Sequence, residues 1–317
     1  MSDPDRWRPV PADAPFAGRA RQPVRSPRSV GSGPVQLGVT IHLTDRSHDI
    51  VDLVREVEAR GFHSLYIPEH THIPTSRETP APTGASELAE QYYRSPDPYV
   101  ALGAAAAVTD RIRLGTGIAL VIQHDPIALA KAIASLDHLS NGRFVLGIGY
   151  GWNREEMENH GIDFGRRRPM VREWILAMQR LWRDDEAEFH GDYVDFEPAA
   201  SWPKPIQQSG PPVLIGGAPG PTLVAHVAEF GNGWMPIGGA GVKAAIGDFH
   251  AAFEAAGRDP ADFRVVPFGT FPDAGKLDHY RELGCDEVVL RIPSAPRDDV
   301  LPVLDEYARY LPASGVA

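Results

Sequence analysis

The sequence contains a single cysteine, Cys285, among its 317 residues. One cysteine cannot build an internal disulfide framework, and this usage fits the reducing cytosol better than an oxidising compartment. Long apolar runs are missing too, because no stretch reaches the ~18 consecutive apolar residues of a membrane-spanning helix. The N-terminus also lacks the apolar core of a signal peptide. We therefore expect a cytoplasmic protein.

Positive charge is scarce. The 31 lysines and arginines stand against 42 acidic residues, which leaves a formal net charge of −11. Such a balance argues against a nucleic-acid partner, whose recognition needs a basic face, and against anionic membrane surfaces. The hydrophobic share of 43% and the charged share of 23% are ordinary for a soluble globular protein. A small-molecule ligand remains the expected partner.

The first 33 residues have few side chains that could form a core. They are rich in proline, arginine, serine and glycine, a composition typical of segments that do not pack. We expect a disordered or surface-draped N-terminal arm over residues 1–33 and one folded domain over residues 34–317.

From residue 35 onward, short β-branched runs alternate with amphipathic helical stretches. This alternation predicts parallel βα units, and eight of them fit a single (β/α)8 TIM barrel better than an open sheet. A doubly wound fold is the runner-up, but it would need a glycine fingerprint after the first strand, where TIHLTDRS has none. The predicted strands are 35–41, 63–67, 112–118, 143–149, 212–217, 233–237, 263–268 and 286–292.

Helical spacing and capping residues predict the intervening helices. Ser47 is the expected cap of the first helix, and Asp125 precedes a helix that begins at Pro126. The predicted helices cover 47–60, 126–139, 170–182, 222–230 and 298–311.

Two long segments interrupt the repeat, one over residues 68–96 after strand 2 and one over residues 184–211 after helix 4. The second contains FHGDYVDF, which predicts a hairpin around Gly191 and Asp192. Long ordered insertions in barrels usually serve the site, which lies at the carboxyl ends of the strands.

The stretch SLYIPEHTHIP places Glu69 and His70 just after the second predicted strand. A metal centre would recruit further histidine or aspartate ligands from later strand ends. The ends of strands 5, 6 and 8 supply glycine, isoleucine and arginine instead, so we expect no metal. General acid/base chemistry by His70, with Glu69 orienting the imidazole, is the functional hypothesis. An ordinary surface-loop histidine is the alternative.

The ends of strands 3 and 4 carry glycines in RLGTGIALVIQHDP and LGIGYGWNREE. Gly117 near the end of a buried strand indicates either a bulge beside a ligand or relief of crowding. Trp152 would be an unusual residue for a solvated turn unless something flat packs on it.

A glycine loop follows strand 5 and leads into the helix predicted at residue 222. It combines free backbone N–H groups, the positive end of a helix dipole and a hydroxyl, which together suit a phosphate. A plain glycine-rich turn is the alternative. The residues are Gly216, Gly217, Gly220, Pro221 and Thr222.

Taken in order, these segments resemble the luciferase-like monooxygenase superfamily, and within it the bacterial oxidoreductases that use a deazaflavin, coenzyme F420. The resemblance covers about residues 35 to 240. It rests on RGFHSLYIPEH, TDRIRLGTGIALVIQHDPIALAKAIASLDHLSNGRFVLGIGYGW, FHGDYVDF, PKPIQQSGPPVLIGG and FGNGWMP.

The resemblance implies a (β/α)8 barrel with the cofactor ring in the strand-end mouth. It implies a cis Gly117–Ile118 bond in strand 3, an active-site histidine at His70 and a cofactor-touching acid at Glu69. It places the cofactor phosphate on the glycine loop 216–222. The other residues that it places around the cofactor are Thr116, Tyr150, Gly151 and Glu155.

Two positions depart from the family's sugar-phosphate dehydrogenase. Trp152 replaces a glutamate proposed as proton donor, and Ala240 replaces a lysine that binds substrate phosphate. A sugar phosphate is therefore not the expected substrate. Trp152 enters the predicted catalytic set as the wall of a more apolar pocket, suited to a ketone, an enone or a hydrophobic alcohol.

Three functions are compatible with the resemblance. The first is hydride transfer between F420 and a small apolar substrate, for which Arg166, Arg167 and Arg168 could line an exit for the anionic tail. The second is an FMN-dependent monooxygenase supplied by a cofactor-reducing partner enzyme, and the third a barrel that binds the cofactor without catalysis. Related barrels commonly pair, and Trp174 and Trp182 could serve a homodimer interface.

Overall fold

The structure is a computed structural model that describes residues 35–81, 87–239 and 241–311. The predicted arm over residues 1–33 and Ala240 lie outside these ranges. Among the described helices, none combines the length and the apolar character needed to cross a membrane.

The chain adopts an α/β fold around a curled parallel sheet. Nine strands form it in the order β10-β11-β1-β2-β3-β4-β7-β8-β9, with parallel pairing at each step, while β5 and β6 form a separate antiparallel pair. The strands are β1 Gln36–Thr40, β2 Ser64–Ile67, β3 Arg113–Thr116, β4 Phe144–Ile148, β5 Ala187–His190, β6 Asp195–Ala199, β7 Val213–Gly216, β8 Gly233–Met235, β9 Arg264–Val265, β10 Phe268–Thr270 and β11 Glu287–Arg291.

All eight predicted strands are present, and the seventh is divided into β9 and β10. Pro267 lies between the two segments and has no N–H to donate to a ladder. The N–H of Phe268 donates to the carbonyl of Pro236 at 2.8 Å, and the N–H of Val289 donates to the carbonyl of Pro267 at 2.9 Å. Strands β9 and β10, which stand at the two ends of the strand order, therefore follow each other directly in the chain.

Helices follow most of the strands and pack around the sheet. They are α1 Ile50–Ala59, α2 Pro98–Ala107, α3 Pro126–Leu139, α4 Arg154–Asn159, α5 Arg167–Arg183, α6 Pro221–Glu229, α7 Val242–Ala255, α8 Ala274–Glu282 and α9 Arg297–Ala308.

Two helix starts test the capping predictions. Helix α3 begins at Pro126 with the Asp125 carboxylate accepting the N–H of Ala128, as predicted. The prediction that Ser47 caps α1 is wrong. The Asp49 carboxylate accepts the N–H groups of Val51 and Asp52, because an acidic cap also complements the positive end of the helix dipole.

The two long segments are tied down by buried or paired carboxylates. Between β5 and β6, the N–H groups of Asp192, Tyr193 and Val194 donate to the buried Glu173 of α5. This is the hairpin predicted around residues 191 and 192. The segment after β2 contains a short 3-10 helix, Glu90–Tyr93, whose Glu90 pairs with Arg46 at 2.6 Å.

The interior of the sheet holds a compact cluster of apolar side chains, with Ile118 and Phe268 half-buried against it. Tyr66 and Phe268 meet edge-on with ring centroids 5.7 Å apart. A Cβ added at Gly117, just after β3, would meet both Phe268 and Tyr66, so this cluster packs directly against the end of β3. The cluster is Tyr66, Val145, Leu214, Met235, Val266 and Val289.

Arg143, fully buried just before β4, joins the end of α2 to the start of β3. Its guanidinium donates to the carbonyls of Ala106, Thr109, Ile112 and Ser140 at 2.6–3.2 Å. These carbonyls are buried away from water, so Arg143 supplies the hydrogen bonds that water would otherwise donate.

Replacing Arg143 with methionine should lower the free energy of unfolding by at least about 3 kcal/mol, because each orphaned buried carbonyl costs roughly 1–3 kcal/mol. Urea denaturation followed by circular dichroism measures the loss. Arg309→Met, an exposed arginine at the end of α9, is the matched control and should change stability by about 0.5 kcal/mol or less. Equal losses in both variants would contradict the role given to Arg143.

Candidate active site

The carboxyl ends of β2, β3 and β4 meet at one end of the sheet, which we call the mouth. Glu69 and His70 follow β2 and are 3% and 9% exposed, so His70 is not the surface-loop histidine of the alternative interpretation. Gly117 and Ile118 follow β3 and are joined by a cis peptide bond, as the family resemblance implies. Trp152 follows β4 on the same side.

The carboxylate beside His70 is that of Glu156. His70 Nδ1 and Glu156 Oε2 are 2.9 Å apart, and Glu156 is completely buried at the start of α4. With Glu156 as a carboxylate, Nδ1 carries the hydrogen, and Nε2 is the nitrogen that can take or give a proton. The expectation that Glu69 orients His70 is therefore corrected.

Glu69 instead ties the end of β2 to the segment after β3. One carboxylate oxygen accepts the N–H of Leu120 at 2.6 Å, and the other lies 2.7 Å from His124 Nε2. The backbone N–H of Glu69 also donates to the carbonyl of Ile118 at 3.1 Å. Glu69 thus fixes the position of the residues around the cis bond.

Aromatic rings surround His70 on its open side. The Trp152 ring meets the imidazole edge-on at a centroid distance of 5.8 Å, and the Tyr92 ring lies at 5.5 Å. The His42 ring is tilted against that of Tyr92, with the ring centroids 4.9 Å apart. Burial, assisted by the charges of His70 and Arg291, lowers the pKa of His42 to about 4, so this imidazole stays neutral at neutral pH.

Two large apolar side chains stand exposed at the far rim of the mouth. Ile237, after β8, is 67% exposed, and Phe271, directly after β10, is 62% exposed. Large apolar groups left in water beside a site mark a surface for an apolar ligand. Trp152 and Tyr92 add two aromatic rings beside His70.

The residues around the cis bond are closely packed. Thr116 is fully buried and its hydroxyl donates to the carbonyl of Gly147 at 2.7 Å, so a ligand would meet its backbone rather than its side chain. A Cβ added at Gly117 would lie 2.3 Å from the ring of Phe268. Ile118 lies against Gly149 and Gly216, so any larger residue at those two positions would displace it.

The glycine loop leaves the start of α6 uncapped. Strand β7 ends at Gly216, Gly217 takes a φ of +138°, and α6 begins at Pro221, one residue before the predicted start. The cap residue is Gly220, which offers no side chain to the first N–H groups, and a Cβ there would meet nothing within 4 Å. The N–H of Thr222 and the positive helix end are thus open to an anion.

Tyr150 lies between the strand-4 loop and α6. Its hydroxyl is 2.9 Å from His226 Nδ1, and the Arg168 guanidinium stands 5.3 Å from its ring. Burial raises the pKa of Tyr150 to about 12, although Arg168 opposes the shift. Arg167 instead packs on Phe164, so Arg168 is the arginine of the predicted trio that reaches a predicted site residue.

Gly151 and Glu155 shape the loop after β4. Gly151 has a φ of +76° and no room for a side chain, since a Cβ would meet Met157 at 2.0 Å. Glu155 accepts the N–H groups of Glu78 and Thr79 at 2.9 and 3.1 Å. Desolvation opposes the shift, but these hydrogen bonds lower the pKa of Glu155 to about 2. The carboxylate therefore holds the segment after β2 over α4.

Four residues of the mouth were not predicted from the sequence: Glu156, His124, Tyr92 and His226. No local signal marks Glu156, because two glutamates in the first turn of a helix can both face solvent; its burial is set by the packing of α4. Among the described residues, no group of three or more histidine, cysteine, aspartate or glutamate side chains could hold a metal ion.

Comparison with known proteins identifies relatives along most of the chain. The family profile described as luciferase-like monooxygenase matches residues 26–272. An uncharacterized protein of Mycobacterium tuberculosis is 40% identical over 277 residues, covering 86% of this chain and 98% of the relative.

Relatives of described activity are more distant. The F420-dependent glucose-6-phosphate dehydrogenase of Intrasporangium calvum is 29% identical, covering 61% of this chain and 54% of that protein. The oxygenase component of the flavin-dependent trigonelline monooxygenase of Acinetobacter baylyi is 29% identical, covering 53% and 42%. A solved F420-dependent secondary alcohol dehydrogenase superposes with a TM-score of 0.70 at 19% identity, covering 88% and 99%.

The Glu69–His124 pair should make stability depend on pH. Burial alone would lower the pKa of His124, but the hydrogen bond and charge of Glu69 outweigh it, and the pKa lies above the ordinary 6.5. The folded state therefore holds this proton more tightly. The stabilisation is complete below pH 6.5 and is lost as pH rises through the raised pKa.

Urea denaturation of the wild type and His124→Gln should show a stability difference that is full below pH 6.5 and shrinks as the pH rises above it. In Glu69→Gln the same pH dependence should disappear, because the carboxylate that raises the pKa is gone. A wild-type advantage that grows with pH would contradict this assignment.

Proposed function

Because this chain belongs to the luciferase-like monooxygenase family, we propose that it is an oxidoreductase that binds coenzyme F420 and transfers hydride between this deazaflavin and a small, apolar organic substrate. The observation that carries the proposal is the His70 imidazole, fixed by the buried Glu156 and placed beside two aromatic rings. An FMN-dependent monooxygenase of the same fold, supplied with reduced flavin by a partner enzyme, is the second candidate.

The proposal includes a closed (β/α)8 barrel. Its support is the continuity of β9 and β10, since one pairs with β8 and the other with β11. In such barrels the site lies where the strands end, which is where His70, Ile118 and Trp152 are found.

The residues present fit a tricyclic cofactor with a phosphate. Gly117 and Ile118 would support the ring, and the uncapped N–H of Thr222 with the loop at Gly216 and Gly217 would hold the phosphate. When bound, the deazaflavin supplies the two-electron acceptor or donor for the hydride. Tyr150, Gly151 and Glu155 would border the ring and the tail.

His70 would handle the proton that accompanies the hydride. When a hydride leaves or reaches the substrate carbon, a proton must leave or reach the attached oxygen. Glu156 holds Nδ1 and thereby presents Nε2 for that exchange, while the Trp152 and Tyr92 rings exclude water. Glu69 contributes by positioning the strand-3 residues rather than by touching His70.

The choice of F420 over FMN rests on charge near the tail. Arg168 is exposed beside Tyr150 and could neutralise a longer anionic tail than that of FMN. Relatives of 29% identity include both an F420-dependent enzyme and a flavin-dependent one, so the cofactor must be decided by titration. The exposed Ile237 and Phe271 favour an apolar substrate for either cofactor.

Titration of the apo-protein with F420 and with FMN, followed by ring fluorescence, separates the two candidates. We expect F420 to bind about tenfold more tightly or better, a difference of roughly 1.4 kcal/mol. Gly220→Asp should cap α6 and stabilise the fold by about 0.5–1 kcal/mol while weakening cofactor binding, because its carboxylate occupies the anion position.

Gly220→Asn is the matched neutral cap and should weaken binding less. Tighter binding of FMN than of F420 would contradict the F420 proposal and favour the monooxygenase candidate. Binding of neither cofactor, in a protein that retains its fold, would overturn both.

Turnover should depend on His70. Replacement by alanine is expected to lower kcat by about 10²–10⁴, typical for loss of a general acid/base, with cofactor affinity nearly unchanged. His72→Ala, two residues along the chain and hydrogen-bonded to Asn159 instead, is the control. Glu156→Gln should shift the pH profile of kcat. Full turnover by His70→Ala would refute the assignment, and absence of turnover with any substrate would favour a binding protein.

A further inference from the structure

A second cavity opens at the opposite end of the sheet, where the strands begin. Its volume is about 670 Å³, and it lies between the starts of β3, β7, β8 and β9 and the second half of α5. The proposed active site uses the ends of the strands. This amino-end cavity is therefore separate from it and has no part in the chemistry at His70.

Arginine dominates the charge of this cavity. Arg113, Arg183, Arg258 and Arg264 line it, against one acidic residue, Glu229. The Glu229 carboxylate is engaged outside the arginine set, because both of its oxygens accept hydrogen bonds from Arg172. The whole chain has a net charge of −11, yet this cavity is positively charged. Solubility does not require such a local excess of positive charge.

The four arginines differ in what they already bind. Arg258 donates to the carbonyls of Val227, Ala228 and Gly231 and so caps the end of α6. Arg183 is exposed at the rim, where its Nε donates to the carbonyl of Gln179. Arg113 differs, because its Nε is buried and has no hydrogen-bond partner among the described residues.

Arg113 and Arg264 both line the cavity and lie close enough for their charges to interact. Burial and the charge of Arg113 lower the pKa of Arg264, with Asp286 and Glu287 acting in the opposite direction. Both carboxylates keep their negative charge while they accept hydrogen bonds from neutral groups, so they balance part of the positive charge of the two arginines. Glu287 accepts the hydroxyls of Ser64 and Tyr66, and Asp286 accepts the N–H of Val265.

Two guanidiniums that line one partly buried cavity repel each other, and a further anion between them would lower that repulsion. Their planar forks match the oxygens of a phosphate group, which they bind through paired charge-assisted hydrogen bonds. The cavity is larger than inorganic phosphate needs and is within the range of small-ligand pockets, roughly 300–1,000 Å³. We propose that the amino-end cavity binds a phosphate monoester of a small polar metabolite through Arg113 and Arg264.

Calorimetric titration of the full chain at fixed ionic strength tests the site, with glycerol phosphate and inorganic phosphate as the two probes. Glycerol phosphate should bind more tightly, because inorganic phosphate leaves most of the cavity unfilled. Arg264→Gln should weaken binding by about tenfold or more, the loss expected for one charge-assisted contact. Arg309→Gln, on the surface and away from the cavity, should leave the affinity unchanged.

Arg183→Gln is a second variant, chosen in case the Arg264 variant misfolds, because the Arg183 side chain is exposed and its loss should not disturb the fold. This variant should weaken binding by about threefold through lost long-range attraction. Saturating glycerol phosphate should not alter the affinity for F420 or FMN measured by fluorescence. Absence of binding of both probes up to about 10 mM, equal affinities in all variants, or competition with the cofactor would each overturn the proposal. These readouts do not depend on turnover, so they stand or fall separately from the proposed function.

Discussion

Buried carboxylates must be paired, and this constraint organises the mouth of the sheet. An ionised carboxylate removed from water without a partner is strongly disfavoured. Glu156 meets His70, Glu69 meets Leu120 and His124, and Glu155 meets the backbone of the segment after β2. Each pair joins two segments that are distant in sequence. The same contacts that satisfy the charges therefore fix the relative positions of the strand-end loops.

The chemistry of the mouth depends on which partner each of these carboxylates binds. Because Glu156 holds Nδ1 of His70, the orientation of the imidazole is fixed and Nε2 is the nitrogen left for a ligand. Trp152 and Tyr92 then cover the imidazole with apolar surface, which strengthens any charge interaction formed there by excluding water. A polar pair beside aromatic rings is consistent with the proposed reaction, in which a proton moves together with a hydride.

Much of the fold could be predicted from the sequence, because buried parallel strands are runs of β-branched residues that need no knowledge of distant contacts. The division of the seventh strand has a visible cause in Pro267. Helix α2 was not predicted, since PYVALGAAAA is small and apolar on all sides and shows no one-sided stripe. The cap at Asp49 rather than Ser47 depends on where the loop before α1 turns.

The site was predictable in position but not in pairing. His70 and Glu69 follow a strand, so the fold carries both of them to the mouth. Which acid faces His70 depends on the turn of α4, where Glu155 and Glu156 are adjacent in sequence and bind different partners. Tyr92 and His226 come from elements that no local pattern connects to strand 2.

The two ends of the sheet carry opposite chemistry for a geometric reason. In parallel strands every start lies at one face and every end at the other, so Arg113 and Arg264 collect at the amino face while Glu69 and His70 collect at the carboxyl face. Strands of four or five residues separate the faces by roughly 15 Å at ~3.3 Å per residue. At that separation, and at the effective dielectric constant of about 20 typical of proteins, one unit charge acts on another by only about 1 kcal/mol. Charge gathered at the amino face therefore acts only weakly on groups at the carboxyl face, and the fold can support a cation-lined cavity beside its proposed active site.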